Sequence, residues 1–308
     1  TVTITALVRI YSNSHLKAPE AVLFEALSAD IPNSPRFAGL EQGTLSSKRA
    51  SNRTVLSASR CKLLYILTSA LIVIIEAPGF CGASRTIPTI VKTIAHDPSA
   101  FTQGLLFYKG LLYESTGLNG HSSLRCVDPS DGRVLKNIPV ADIFAEGLAL
   151  MDRTLVQLSW QEKTALIYTL PDLTQSGYFT YEGEGWGLTA DSASFIMSNG
   201  SDTLYRRSKK FTLVKKIPVT LDGKPVKNLN ELEYVNGTVY ANIWYDNNIV
   251  AISAKTGIVQ KVIDCSGLTR RAQLQSGSDV LNGIAYNPAT KTFFVTGKNW
   301  RFMFEVTW

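Results

Sequence analysis

Histidine is nearly missing from this chain: there are three in 308 residues, with four cysteines and three methionines. The cysteines show no CxxC spacing and the histidines form no ligand cluster, so a nitrogen- and sulfur-ligated metal centre has no visible donor set. Charge is also thin. Asp, Glu, Lys and Arg make up 18% of the chain, too few for long acidic or basic disordered tracts. The net charge is +6, but residues 1–62 hold eight basic against four acidic residues, and the rest holds 23 against 21. A body that close to neutral lacks the clustered basic face of a nucleic-acid binder. The apolar run "LLYILTSALIVII", Leu63 to Ile75, stops at 13 residues, short of the roughly 20 that a bilayer helix needs. No strong amphipathic helical pattern appears, which leaves strands as the main building element.

That run has Arg60 and Lys62 ahead of it and Glu76 behind it. It fits the h-region of a secretory signal, with "CGA" at 81–83 as a small-residue cleavage site; a retained signal anchor is the other reading. Residues 1–60 are Ser-rich with scattered Arg and carry no fold signal, so a targeting leader or a disordered segment is expected there. The chain opens on Thr1 rather than Met, and further residues ahead of it are expected. The sequons at Asn52, Asn199 and Asn236 agree with secretion. The expected location is therefore the secretory pathway: secreted, vacuolar or in an endomembrane lumen. Cys61 and Cys81 flank the apolar run. Cys126 and Cys265 stay in the body, where one disulfide or two buried thiols both fit. The expected organisation is a leader over 1–60, a signal peptide or anchor over 61–85, and one domain over 86–308.

Beyond residue 85 the chain repeats. "QGLLFYKGLLYEST" from Gln103, "EGLALMDRTLVQLSW" from Glu146, "WGLTADSASFIMSNG" from Trp186, "NELEYVNGTVYANIW" from Asn230 and "NGIAYNPATKTFFVTGK" from Asn282 align, spaced 43, 40, 44 and 52 residues apart. Each opens on a polar or aromatic residue, usually followed by Gly and then Leu or Ile. An apolar strand, a turn and a second strand follow. Third strands ("SLRCVDP", "ALIYTLP", "TLYRRSK", "IVAISAK") and fourth strands ("VLKNIPV", "SGYFTYE", "VKKIPVT", "VQKVIDC") complete four of the units. Tandem four-stranded units of this period predict an all-β, five-bladed β-propeller. The fifth unit ends after three strands, at "MFEVTW". The segment "TIVKTIAHD", residues 89–97, resembles a fourth strand and is expected to close that blade from the N-terminal side.

In a propeller the first strands line a central axis, so the residues that open them meet at one mouth. These are Gln103, Glu146, Trp186 with Glu184, Asn230 with Glu231, and Asn282. Second strands end near the same mouth at Trp160, Trp244 and Lys298. The glycines let the backbone enter the crowded axis. Polar and aromatic groups from five distant stretches predict a pocket there. Glu231 and Glu233 are expected to serve the structure, since alternation turns Glu231 away from Asn230. His121 and Ser122 adjoin, but no nucleophile elbow surrounds them.

The motifs "HDPSAFTQGL", "LYESTGLNGHSSLR", "AEGL", "EGWGLT", "LNELEYVNGTVYANIW", "VLNGIAYN" and "TGKNW" span residues 96–300. Together they resemble the glutaminyl-peptide cyclotransferase family of the plant and bacterial type. The resemblance implies a five-bladed propeller that converts N-terminal glutamine to pyroglutamate and releases ammonia. It also implies that Glu146 is the acid/base residue and matches Lys298 to the family's substrate-binding lysine; from the chemistry, Lys298 or an Asn amide is expected to stabilise the γ-oxygen as it gains charge. Substrate-binding roles then fall on Phe101, Gln103, Trp160, Trp186, Asn230 and Trp244, and Asn282 is expected to join them from its place in the ring. The implied partners are peptides or proteins with an N-terminal Gln, acted on by a monomer. A membrane is involved only if 63–75 is retained as an anchor, and nucleic acid is not a partner. No metal or other cofactor is required, though a structural cation in the channel stays open. Ala145 and Ala149 flank Glu146 where the family pattern differs; Asn199 and Arg301 also depart from it. A non-catalytic peptide- or glycan-binding propeller is the competing reading. An esterase or lactonase propeller with a channel metal stands behind it. Loss of ammonia from a Gln-initiated peptide separates the first reading from both.

Overall fold

The computed structural model describes residues 82–308 except Ala141 and Gln275, together with the backbone of 63–67 and 71–75. Expectations for residues 1–60, for Cys61 and Cys81 and for the sequon at Asn52 lie outside the described residues. Leu63–Leu67 and Leu71–Ile75 pair as an antiparallel ladder.

Four-stranded antiparallel sheets recur along the rest of the chain, and each matches one sequence repeat. Blade 1 comprises Thr102–Tyr108, Leu111–Thr116, Ser123–Val127 and Val134–Pro139. Blade 2 comprises Ala145–Met151, Thr154–Ser159, Thr164–Thr169 and Thr174–Thr180. Blade 3 comprises Leu188–Ala190, Phe195–Met197, Thr203–Arg207 and Leu213–Pro218. Blade 4 comprises Leu229–Val235, Thr238–Ile243, Asn248–Ser253 and Val259–Asp264. Blade 5 comprises Leu281–Asn287, Thr292–Gly297 and Phe302–Thr307. Its fourth strand is Thr89–Ala95, paired antiparallel with Phe302–Thr307, as the sequence predicts. The inner hairpins turn where expected. Lys109-Gly110, Asp152-Arg153 and Asn236-Gly237 all have both φ angles positive, the two-residue geometry that matches strand twist.

Three features have no strong sequence signal. Ser84–Thr86 adds a fifth strand to blade 4, parallel to Val259–Asp264. A short ladder joins Thr220–Leu221 to Lys224–Pro225. A helix, Ser266–Arg271, takes up the longer spacing between blades 4 and 5.

The axis explains the repeated glycine. Gly104, Gly147, Gly187 and Gly283 follow the strand-opening residues of blades 1, 2, 3 and 5. A Cβ on Gly187 would lie 1.9 Å from the backbone oxygen of Asn230, and one on Gly147 would lie 2.3 Å from the amide of Leu188. Blade 4 has Glu231 at this position instead. Its carboxyl crosses the axis and accepts hydrogen bonds from the amides of Leu105 in blade 1 (3.3 Å) and Ile284 in blade 5 (2.8 Å). Glu233 accepts from the Tyr286 amide at 2.9 Å. Burial pushes both carboxyls above the ordinary range, Glu233 to about 8. Both serve the ring, as alternation predicts. The apolar core lies between the blades, in clusters such as Leu106, Leu124, Leu148 and Tyr168. Cys126 and Cys265 are free thiols, both buried.

Candidate active site

Glu146 is the second residue of the blade 2 inner strand, and that position aims its side chain at the axis mouth. It is 5% exposed. One carboxylate oxygen accepts a hydrogen bond from Gln103 Nε2 at 3.0 Å. Gln103 is held in turn: Asn282 Nδ2 donates to its Oε1 at 3.1 Å and to the Thr102 carbonyl at 2.9 Å. A three-residue relay across blades 5, 1 and 2 therefore orients the carboxyl. Ala145 and Ala149 are buried in the cores on either side of this strand.

Burial pushes the Glu146 carboxyl well above its ordinary value; the positive Lys298 opposes this, while Glu184 and Glu162 add to it. Lys298 is also 5% exposed, and burial pulls its ammonium below the ordinary value, with Glu146 opposing. Its Nζ sits 4.7 Å from the centre of the Phe101 ring, within cation–π range. A carboxyl with a raised pKa thus shares the cavity with a cation.

Around these two groups is a cavity of about 190 Å³, lined by Phe101, Gln103, Phe144, Glu146, Trp160, Trp186, Asn230, Trp244, Tyr245, Ser278 and Lys298. Sites for drug-sized ligands run to roughly 300–1,000 Å³, so this one is scaled to a single amino-acid side chain. Its walls are aromatic. Phe144 meets Phe101 and Trp160 edge-on, with centroids 6.2 and 5.6 Å apart, and Trp186 meets Trp244 edge-on at 5.3 Å. Asn230 is 3% exposed and its Oδ1 has no hydrogen-bond partner. A buried acceptor left open costs free energy unless a ligand supplies a donor.

Glu184 supports the wall rather than forming it. Its Oε2 accepts from the indole N–H of both Trp160 (2.9 Å) and Trp186 (3.0 Å), and its Oε1 accepts from Gln161 Nε2 at 3.3 Å. Partial burial would raise its pKa, but these three hydrogen bonds bring it below the ordinary value. One anion therefore fixes two walls.

The structure brings together Phe101, Gln103, Glu146, Trp160, Trp186, Asn230, Trp244 and Lys298. Asn282 is not among the residues that line the cavity: it is fully buried, its Nδ2 donates to Gln103 and Thr102, and its Oδ1 has no hydrogen-bond partner. Phe144, Tyr245 and Ser278 line the cavity without having been singled out from sequence. Phe144 was within reach: "FTQGL" and "FAEGL" share a Phe two residues before the functional group. Among the described residues no group of three or more His, Cys, Asp or Glu is placed to hold a metal.

Residues 65–308 match the family described as glutamine cyclotransferase. The chain is 40% identical over 225 residues to a glutaminyl-peptide cyclotransferase of Arabidopsis thaliana, covering 70% of each protein. It also resembles the crystal structure of Myxococcus xanthus glutaminyl cyclase. That likeness has a TM-score of 0.70 at 38% identity, over 73% of this chain and 97% of the other.

Proposed function

The chain belongs to the glutamine cyclotransferase family, and from that premise we propose how its cavity converts the N-terminal glutamine of a peptide to pyroglutamate. The α-amine nitrogen attacks Cδ of the same residue, the Cδ–Nε bond breaks, and ammonia leaves. Because nucleophile and electrophile belong to one residue, the site has to select a conformation and move protons. Glu146, ionised, takes the proton that the amine loses on attack. The same carboxyl then gives a proton to the departing nitrogen. Burial raises its pKa, which shifts a carboxyl toward the operating pH at which an acid/base group works best. Asn230 Oδ1 is an open acceptor for the amine N–H. Lys298 is the cation for the γ-oxygen as it gains charge in the tetrahedral state. The aromatic walls keep water from the carboxamide.

The observation that carries this reading is a buried Glu146, bonded to Gln103, in a cavity scaled to one side chain. The scheme draws on the chain's own side chains alone. The test uses a Gln-initiated peptide followed by mass spectrometry. Wild-type protein removes one ammonia, and an N-acetylated peptide stays intact because its nucleophile is blocked. Glu146→Gln keeps the fold by circular dichroism and loses kcat by at least about 100-fold, the lower range for general acid–base catalysis. Near-normal turnover in that variant, or ammonia release from the blocked peptide, overturns the scheme.

A secretory location is proposed on the apolar run at 63–75 and on the sequons. Asn236 is exposed at a turn and can carry a glycan. Asn199 is half-buried, with its side chain bonded to Ser201 and Tyr205. Expressed in a secreting cell, the protein should lose mass on endoglycosidase treatment, and Asn236→Gln should abolish that loss. An unglycosylated wild type counts against this placement.

A further inference from the structure

Tyr245 combines three features. Its backbone φ is 62°, its side chain leaves it 63% exposed, and it lines the cavity next to Trp244. Bulky residues avoid left-handed backbone because Cβ crowds the following carbonyl. Such outliers persist where surroundings hold them, and they cluster at functional sites.

The other blades show what else this position can be. In blades 1, 2, 4 and 5 the amide after the second strand bonds a matching carbonyl: Gly117 to Phe101, Trp160 to Phe144, Trp244 to Asn228, and Lys298 to Val280. The next residue in blade 5 is Asn299, with φ 56°, and asparagine tolerates that conformation. Leu118 in blade 1 shares it at 88° but lies outside the cavity lining. Only in blade 4 does this corner put an aromatic ring at the cavity mouth.

The rings form a ramp. Trp186 lies half-buried against Trp244 with centroids 5.3 Å apart, and Trp244 lies 4.6 Å from Tyr245. Exposure rises outward, to 37% at Trp244 and 63% at Tyr245. Ring closure joins the α-amine of residue one to its own Cδ, so both atoms lie inside the cavity. The α-carbonyl is the only way out for the rest of the peptide. The Cα of residue two follows about 3.8 Å beyond the first, which puts its side chain within reach of the cavity rim.

We infer that Trp244 and Tyr245 form the subsite for the second residue of the peptide and select a large apolar or aromatic side chain there. This rests on the cyclotransferase reading. The subsite offers ring faces without charge, which reward apolar and aromatic contact.

The experiment compares kcat/KM for Gln-Phe-amide and Gln-Gly-amide. Wild type should favour the Phe peptide by about tenfold, mainly through KM. Tyr245→Phe should keep that ratio, since the ring remains. Tyr245→Gly and Tyr245→Asn should bring it close to one, and both should melt no lower than wild type because the left-handed backbone is relaxed. Equal rates on both peptides in the wild type, or a ratio untouched by Tyr245→Gly and Tyr245→Asn, overturn the subsite while leaving cyclisation standing. If neither peptide loses ammonia with wild-type protein, the cyclotransferase reading fails and the subsite fails with it.

Discussion

One carboxylate, Glu184, holds the indoles of Trp160 and Trp186 and also raises the pKa of Glu146. These two roles can be separated. In Glu184→Gln the charge goes, so the pKa of Glu146 falls. The acid limb of kcat/KM, which follows ionisation of Glu146, should then move to lower pH. At the same time an amide replaces an acceptor shared by two donors. A hydrogen bond to a charged group is worth about 1.5–3 kcal/mol, so KM should rise about tenfold or more. Tryptophan emission should shift as both rings loosen. An unmoved acid limb would mean that Glu184 does not reach Glu146 electrostatically. Sequence alone set Glu184 beside Trp186 at the mouth. It could not show that Trp160, 24 residues earlier, shares the same oxygen, because that contact depends on how two loops fold over each other.

At the scale of the strand, the inner edge of each blade is built to be thin. Gly187 has no room for a methyl group, because the backbone oxygen of Asn230 occupies that space. Gly187→Ala should therefore lower stability by about 1–3 kcal/mol, the usual cost of overpacking. It should also raise KM, because the strand it pushes carries the open acceptor of Asn230. Urea melts and steady-state kinetics check both effects; a variant as stable as wild type would show slack between blades 3 and 4. The strands themselves were legible, since alternation, glycine turns and spacing recur five times. The edge strand Ser84–Thr86 was not. Three residues carry too little pattern, and its parallel pairing to Val259–Asp264 is a tertiary contact.

At the scale of the ring, His96 closes the molecule. It follows the closing strand, and both its ring nitrogens face acceptors: the Trp300 carbonyl at 2.7 Å and Glu114 Oε1 at 2.9 Å. Two acceptors require a doubly protonated imidazolium. Glu114 also accepts from the Thr102 hydroxyl at 2.7 Å, so the pair ties the closing strand and blade 5 to blade 1. Burial lowers the His96 pKa, but the Glu114 charge and both hydrogen bonds outweigh it, for a net rise above 6.5. Burial likewise opposes ionisation of Glu114, and His96 more than offsets it, so that pKa ends below 4.5. The histidine contribution is thus fully present below pH 6.5 and is lost as pH climbs through the raised value. The glutamate contribution is lost as pH falls through its depressed value. Thermal melts of wild type should therefore decline on the alkaline side. His96→Gln should cost about 3–5 kcal/mol, as for a broken buried pair, and make that decline shallower, the buried carboxyls Glu231 and Glu233, whose pKa values are raised, supplying the rest. A variant whose alkaline decline is as steep as that of wild type would show that His96 contributes nothing to it.

The repeat, the closing strand and the motif-bearing residues were written in local pattern, because strand alternation and turn chemistry act over a few neighbours. They determined an all-β ring with Glu146, Lys298 and the tryptophans at one mouth. Which groups face the cavity was decided only when five blades met. Asn282 occupies the same repeat position as Glu146, yet it lies outside the cavity lining and its Nδ2 donates to Gln103 and Thr102. Tyr245 follows a strand end whose left-handed corner recurs at Leu118 and Asn299, yet it alone of the three lines the cavity. Side-chain direction across blades depends on contacts between residues 40 or more apart in sequence, and no local pattern encodes those contacts.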